Sequence, residues 1–169
     1  MERVMIIGSP GAGKSTLARE LARRTGLPLH HLDQLYWKPG WVEPEREQWA
    51  GAVARLASEQ RWVIEGNYGG TLQLRLARAD TVIDLALPAW LCLARVVRRS
   101  LASWGRVRPD MGAGCPERPS WEFFSYTATF PWRGRRRIAE RIQGYGGRYV
   151  RLSSQAQVDH FVKGLPHRR

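Results

Sequence analysis

The chain has 169 residues, of which 43% are hydrophobic and 25% charged, and its net charge is +12. Those shares are ordinary for a globular protein and exclude a disordered or fibrous chain, and the length suits one domain, residues 1–169, with a buried core. No apolar run reaches the ~20 residues needed to cross a bilayer, and two cysteines, Cys92 and Cys115, are too few for a disulfide framework or a four-cysteine zinc site.

The N-terminus passes straight from a short apolar run into glycines, with no signal-peptide core or cleavage site, so a cytoplasmic address and no membrane partner are expected. Residues 3–7 read as a buried strand, 8–13 as a glycine-rich turn and 14–25 as a helix closed by Gly26, with Leu17, Ala18, Leu21 and Ala22 on one face. Gly8, Gly13, Lys14 and Ser15 satisfy G-x-x-x-x-G-K-[ST], in which small residues let backbone N–H groups wrap a phosphate at a helix N-terminus. The nucleotide-binding loop is therefore Gly8, Ser9, Pro10, Gly11 and Ala12, followed by Gly13, Lys14, Ser15 and Thr16. In this pattern Lys14 reaches the β- and γ-phosphates of ATP and the Ser15 hydroxyl is a ligand to Mg²⁺. Lys is scarce here, at three of 27 basic residues, and one of the three stands where a flexible ammonium is wanted.

Further strands are predicted at 27–30, 61–65, 81–85 and 148–152, and helices at 45–58, 72–78, 89–103, 133–143 and 155–162. Trp49, Ala52, Val53 and Leu56 keep helical spacing, as do Trp90, Leu93, Val97 and Leu101, and both stripes are expected in the core. Alternating β and α segments imply a parallel sheet covered on both faces, with ligands at the carboxyl ends of its strands. Residues 105–119 are the one long stretch without periodicity, which suits a lid covering about 104–120.

Phosphoryl transfer needs a metal, an oriented acceptor and positive charge around the moving group. Asp33, Glu65 and Asp84 lie where strand ends present carboxylates, and by pattern both Glu65 and Asp84 fit a metal-supporting acid; Asp84, inside its apolar run, ranks last. Asp33 borders "HHLDQLYWKPGW", residues 30–41, and suits a group that orients the acceptor hydroxyl or holds the metal. Tyr36, Trp37 and Trp41 then form an apolar or stacking wall of the acceptor pocket, with anchoring of the next helix as the structural alternative. Asn67 and Tyr68 follow Glu65 on the acceptor side, and Arg75 is placed to hold an acceptor anion.

Five stretches in order, "GSPGAGKSTLA", "HLDQLYWKPGW", "WVIEGNYGGTLQLRLARAD", "RPDMGAGCPE" and "FPWRGR", resemble the bacterial DNA topology modulation proteins over about residues 3 to 165. That group is a branch of the adenylate kinase-like and shikimate kinase-like P-loop NTPases. The resemblance implies a three-layer α/β/α fold, a five-stranded parallel sheet of order 2-3-1-4-5 and an arginine-bearing lid, and it favours Glu65 as the metal-supporting acid. Two departures narrow the acceptor. The chain has Glu65-Gly66-Asn67-Tyr68 where AMP-specific adenylate kinases have a Gly-Phe-Pro-Arg type motif, and Asp33-Gln34-Leu35 where shikimate kinases have a paired Asp-x-Asp. Neither AMP nor shikimate is expected. Arg99 resembles the residue that stacks on adenine in the shikimate kinase branch, and Ser153 and Ser154 the loop that borders the base.

Arg108, in the lid, is the leading catalytic arginine and Arg133 the second; Arg137 and Arg141 share one helix face, so not all of this cluster points into one site. The reading is an ATP- and Mg²⁺-dependent phosphotransferase on a small molecule or nucleotide. The alternatives are an ATP-binding nucleic-acid-associated protein, supported by charge, and a slow ATPase.

Overall fold

The structure, a computed structural model, describes residues 1–165. Five strands, β1 (Arg3–Gly8), β2 (Leu29–His31), β3 (Trp62–Glu65), β4 (Thr81–Leu85) and β5 (Arg148–Leu152), form one parallel sheet in the order β2-β3-β1-β4-β5. The helices are α1 (Lys14–Thr25), α2 (Leu32–Tyr36), α3 (Arg46–Ser58), α4 (Leu72–Leu76), α5 (Ala89–Ala102), α6 (Trp121–Ile142) and α7 (Gln155–Lys163). The expected α/β/α sandwich and strand order are thus the observed ones.

Alternation along β1 explains the two cores. Val4 and Ile6 face a cluster with Leu17 and Leu21 of α1 and Val158 of α7, while Met5 and Ile7 face Trp49 and Val53 of α3, Leu72 and Leu76 of α4, and Phe130 and Ile138 of α6. A strand buried on both faces must read as an unbroken apolar run, which is why β1 is legible and why it sits at the centre of the sheet. β2 and β5 are the edge strands; Arg148 and Arg151 on β5 are exposed and discourage pairing with another strand.

Three differences from the sequence reading bear on function. Residues 32–36 form the short helix α2, too brief for periodicity to announce. α6 starts at Trp121, twelve residues before the predicted 133, and runs through Pro131; Ser120 caps it by accepting the Phe123 N–H at 3.2 Å. Of the stripe expected in the core, Trp90 is 72% exposed and Leu101 58% exposed, because the buried face of α5 is set by Cys92, Val96 and Ser100 instead.

Candidate active site

Gly8 ends β1 with φ 138°, and a Cβ there would collide with the Leu85 carbonyl; Gly11, with φ 75°, leaves no room against the Cys92 carbonyl. Only glycine lets the loop pass so close to β4 and α5. The loop thus lies at the carboxyl edge of the sheet with the N-terminus of α1 behind it. Lys14 curls over it, its Nζ donating to the Gly8 and Ser9 carbonyls at 3.2 and 3.1 Å. A cavity of about 1790 Å³ opens above, walled by residues 10–17, the aromatic stretch, the segment after β3 and the α5–α6 hairpin.

The sheet brings Glu65 to this edge. Parallel registry sets Ile6 of β1 and His31 of β2 on either side of it. Glu65 Oε2 accepts from Ser15 Oγ at 3.4 Å and lies 2.8 Å from His31 Nδ1. Asp84, by contrast, is turned away from the cavity: it is buried and accepts the Tyr149 hydroxyl of β5 at 2.9 Å, and burial raises its pKa. The sequence leaves these two acids open, and their places in the sheet separate them.

Asp33, on α2, is half-buried at the cavity wall and accepts the Tyr68 hydroxyl at 2.6 Å. Burial raises its pKa, Tyr68 opposes this, and the nearby charge of Glu65 raises it further. Burial likewise pushes the Tyr68 phenol up, with Asp33 next in effect, so Tyr68 stays a donor. Tyr68 itself has φ 32° and is packed between Tyr36 and Trp49, with ring centroids 4.7 and 5.2 Å away.

Arg75 does not reach the cavity. It is fully buried, and its guanidinium donates to the backbone carbonyls of Gly66 at 2.8 Å, Asn67 at 2.6 Å and Tyr68 at 3.3 Å. Burial brings its pKa down to about 9. Its observed position is therefore beneath the loop that follows β3, where it holds that loop instead of an acceptor anion. Asn67 then exchanges two hydrogen bonds with Gly8, at 2.9 and 3.0 Å, which ties the loop to the start of the phosphate-binding turn.

The aromatic stretch lines the cavity through Tyr36, Trp37 and Trp41 and grips the lid with its backbone. Trp37 contacts Tyr36 and Trp41 edge-on, with centroids 5.0 and 5.4 Å apart. Gly40 N–H donates to the Gly114 carbonyl at 3.0 Å, Cys115 Sγ to the Lys38 carbonyl at 3.2 Å and Trp41 Nε1 to the Pro116 carbonyl at 3.2 Å. Trp41 holds φ 66°, a conformation strained for a bulky residue, at this junction of wall and lid.

The segment between α5 and α6 brings Arg108 to the cavity, where its Nε lies 3.0 Å from Glu117 and 3.8 Å from Asp110. Burial raises the Asp110 carboxyl, but the Arg108 charge and a hydrogen bond with Ser15 outweigh it and hold the group below its usual range. Arg99 sits over the Phe123 ring at 6.0 Å and 3.9 Å from Glu117. Arg133 is exposed on the outer side of α6 and is not among the cavity-lining residues; Ser153 and Ser154 cap α7 beside the cavity, whose lining there is Gln155. His31, Asp110, Glu117, Phe123 and Tyr126 belong to the site and escape sequence reasoning: Phe123 and Tyr126 lie in the part of α6 that the sequence does not announce, and nothing local marks the remote partners of His31, Asp110 and Glu117.

Ser15 and Glu65 are hard oxygen donors, with Asp110 beside them and the phosphate loop adjacent, which suits Mg²⁺ shared with nucleotide phosphates. Among the described residues no group of three His, Cys, Asp or Glu is placed to hold a metal ion by itself.

No family model and no curated protein matches the sequence. Among solved structures, the shikimate kinase from Acinetobacter baumannii in complex with shikimate is 18% identical, over 96% of this chain and 89% of that one, with a TM-score of 0.61. A gluconokinase from Sinorhizobium meliloti 1021 is 17% identical over 96% and 87%, at TM-score 0.55, and a shikimate kinase from Bacteroides thetaiotaomicron is 18% identical over 96% and 94%, at 0.54. These likenesses show the fold: the chain has the P-loop NTPase architecture shared by shikimate kinase-like and gluconokinase-like proteins.

Proposed function

We propose that the protein is an ATP- and Mg²⁺-dependent phosphotransferase acting on a small molecule, with acceptor and nucleotide meeting in the one large cavity. The observation that carries this reading is the convergence of Lys14, Ser15, Glu65, Asp33 and Arg108 on that cavity from separate segments of the chain. A bare ATPase needs no wall of aromatics opposite its phosphate loop, whereas a kinase must hold an acceptor there and exclude water.

The roles follow from position. The Gly8–Ser15 loop and Lys14 would cradle the nucleotide phosphates, and Ser15 and Glu65 would hold Mg²⁺, which would neutralise phosphate charge. His31 hydrogen-bonds Glu65 from behind and fixes its orientation. Asp33, kept in place by Tyr68, faces the acceptor hydroxyl and takes up its proton as the oxygen attacks. Arg108 supplies positive charge beside the transferring group, and Glu117 and Asp110 hold it there. Arg99 over Phe123, with Gln155 nearby, borders the base.

The resemblance to DNA topology modulation proteins agrees with this fold and leaves the acceptor open. The net charge of +12 favours the nucleic-acid reading, yet seven arginines, among them Arg95, Arg98, Arg99 and Arg108, line the cavity, where polyphosphate accounts for them. Melting curves with ATP and Mg²⁺ test the proposal, because a ligand bound by the native state alone raises the melting temperature. An upward shift that Lys14→Ala abolishes is expected; no shift in the parent, or an equal shift in the variant, would refute it.

A further inference from the structure

We propose that the outer face of the α5–α6 hairpin is a docking surface for a second copy of this chain. The two helices run antiparallel: Arg99 lies over Phe123 at one end, and Arg135 Nη2 donates to the Leu87 carbonyl, just before α5, at the other. One side of the hairpin, with Arg95, Arg99, Phe123 and Tyr126, lines the cavity. The opposite side leaves its largest side chains uncovered among the described residues.

That side carries two matching stripes. On α5 it is Trp90, Ala94, Val97 and Leu101; on α6 it is Trp121, Ser125, Ala128 and Trp132. Both have the spacing i, i+4, i+7, i+11, which keeps one helix face. Neither stripe contains a charge. Trp90, Trp121 and Trp132 are 72%, 80% and 71% exposed, and Trp104, just past α5, is 66% exposed. At 150–250 Å² for each aromatic, four indoles so exposed present on the order of 600 Å² of surface. That is at the upper end of the roughly 300–600 Å² of the largest patch on a typical monomer and about three-quarters of the roughly 800 Å² that each partner contributes to a standard interface.

The occupant follows from charge and shape. Arg98, Arg106 and Arg133 are exposed beside the stripes and Arg136 stands one turn beyond Trp132, so cations border the indoles while none lies among them. Neither of the two cavities described reaches the stripes, whereas a single nucleic-acid strand is held by aromatics set in a positively charged groove. A two-fold axis set against this face would instead lay four charge-free helix faces together, burying tryptophans of both copies at the centre.

Each copy carries +12, so the two repel, and the dimer has a salt signature opposite to that of anion binding. The test is sedimentation equilibrium of the full chain between about 20 and about 300 mM salt, a range over which the Debye length shrinks from beyond 20 Å to well under 10 Å. A dimer is expected, with association at least tenfold tighter at the higher salt. Trp90→Ser with Trp132→Ser should leave a monomer whose ATP-induced melting shift is unchanged, which reports a retained fold. A monomer at both salt concentrations overturns the proposal, as does a dimer that the double variant keeps. Tryptophan-dependent binding to phosphatidylglycerol vesicles or to a single-stranded oligonucleotide, lost as salt rises, with no dimer formed, would assign the face to that partner instead.

Discussion

Tyr68→Phe removes one oxygen atom from the centre of the site, and the consequences can be worked through. The aromatic ring and its packing between Tyr36 and Trp49 remain; what is lost is the hydrogen bond, 2.6 Å long, that the phenol donates to Asp33. A hydrogen bond to a charged group contributes about 1.5–3 kcal/mol, and the lower part of that range, about 1.5–2 kcal/mol, applies to a half-buried carboxylate. Its loss disfavours the charged form and so raises the Asp33 pKa further. The folded-state value already lies above the ordinary one because of burial, so folding stability falls as pH climbs from the ordinary aspartate value through the raised one. In the variant that fall is deeper and extends to higher pH. Melting temperatures of parent and variant should therefore nearly coincide in acid, where Asp33 is protonated in both. At neutral pH they should differ by about 3–8 °C for a chain of this size. A difference that stays constant across pH would refute the reasoning, because the phenol would then be acting through packing and not through the Asp33 charge.

Two further outcomes test the supports of the site. Glu65→Gln keeps the shape but removes the negative charge beside Ser15, so the extra melting shift that Mg²⁺ adds to ATP should shrink while the shift from ATP alone persists; an unchanged Mg²⁺ increment would remove Glu65 from the metal. Arg75→Met leaves the Gly66, Asn67 and Tyr68 carbonyls without their donor, at about 1–3 kcal/mol for each that stays buried, and relief of the buried charge offsets part of this, so the melting temperature should fall while the chain still folds. Nucleotide affinity should also fall about tenfold, because Asn67 no longer brackets Gly8; unchanged affinity would make Arg75 a purely internal residue.

The parts of this protein that are legible in the sequence are those whose physics is local. β1 announces itself because a doubly buried strand must be apolar throughout, and the phosphate loop because glycine is required where the backbone crowds Leu85 and Cys92. α2 is five residues long and has no period to detect, so the sequence marks Asp33 as a site carboxylate from its place after a strand and beside the aromatics, but not the helix that carries it. The first half of α6 is hidden by Pro131 and by a run of aromatic and hydroxyl side chains that do not favour a helix interior. A misplaced start also misplaces Arg133, whose direction depends on the phase of a helix anchored at Ser120. Arg75 and His31 are harder still. A buried polar side chain is defined by partners remote in sequence, three carbonyls after β3 in one case and the β3 carboxylate in the other. The exposed Trp90 and Leu101 are expected inside because periodicity marks an apolar face without saying whether anything covers it.

The central claim, phosphoryl transfer to an acceptor bound against the aromatic wall, is tested most directly by ADP release from ATP and Mg²⁺ across a panel of hydroxylated metabolites. The account predicts that at least one acceptor raises ADP release well above the rate with water alone. Lys14→Ala should lose this with nucleotide binding, and Asp33→Asn should lose it while nucleotide binding is kept. Acceptor-dependent turnover undiminished in Asp33→Asn, or a rate that no acceptor changes while ATP still binds, would contradict it.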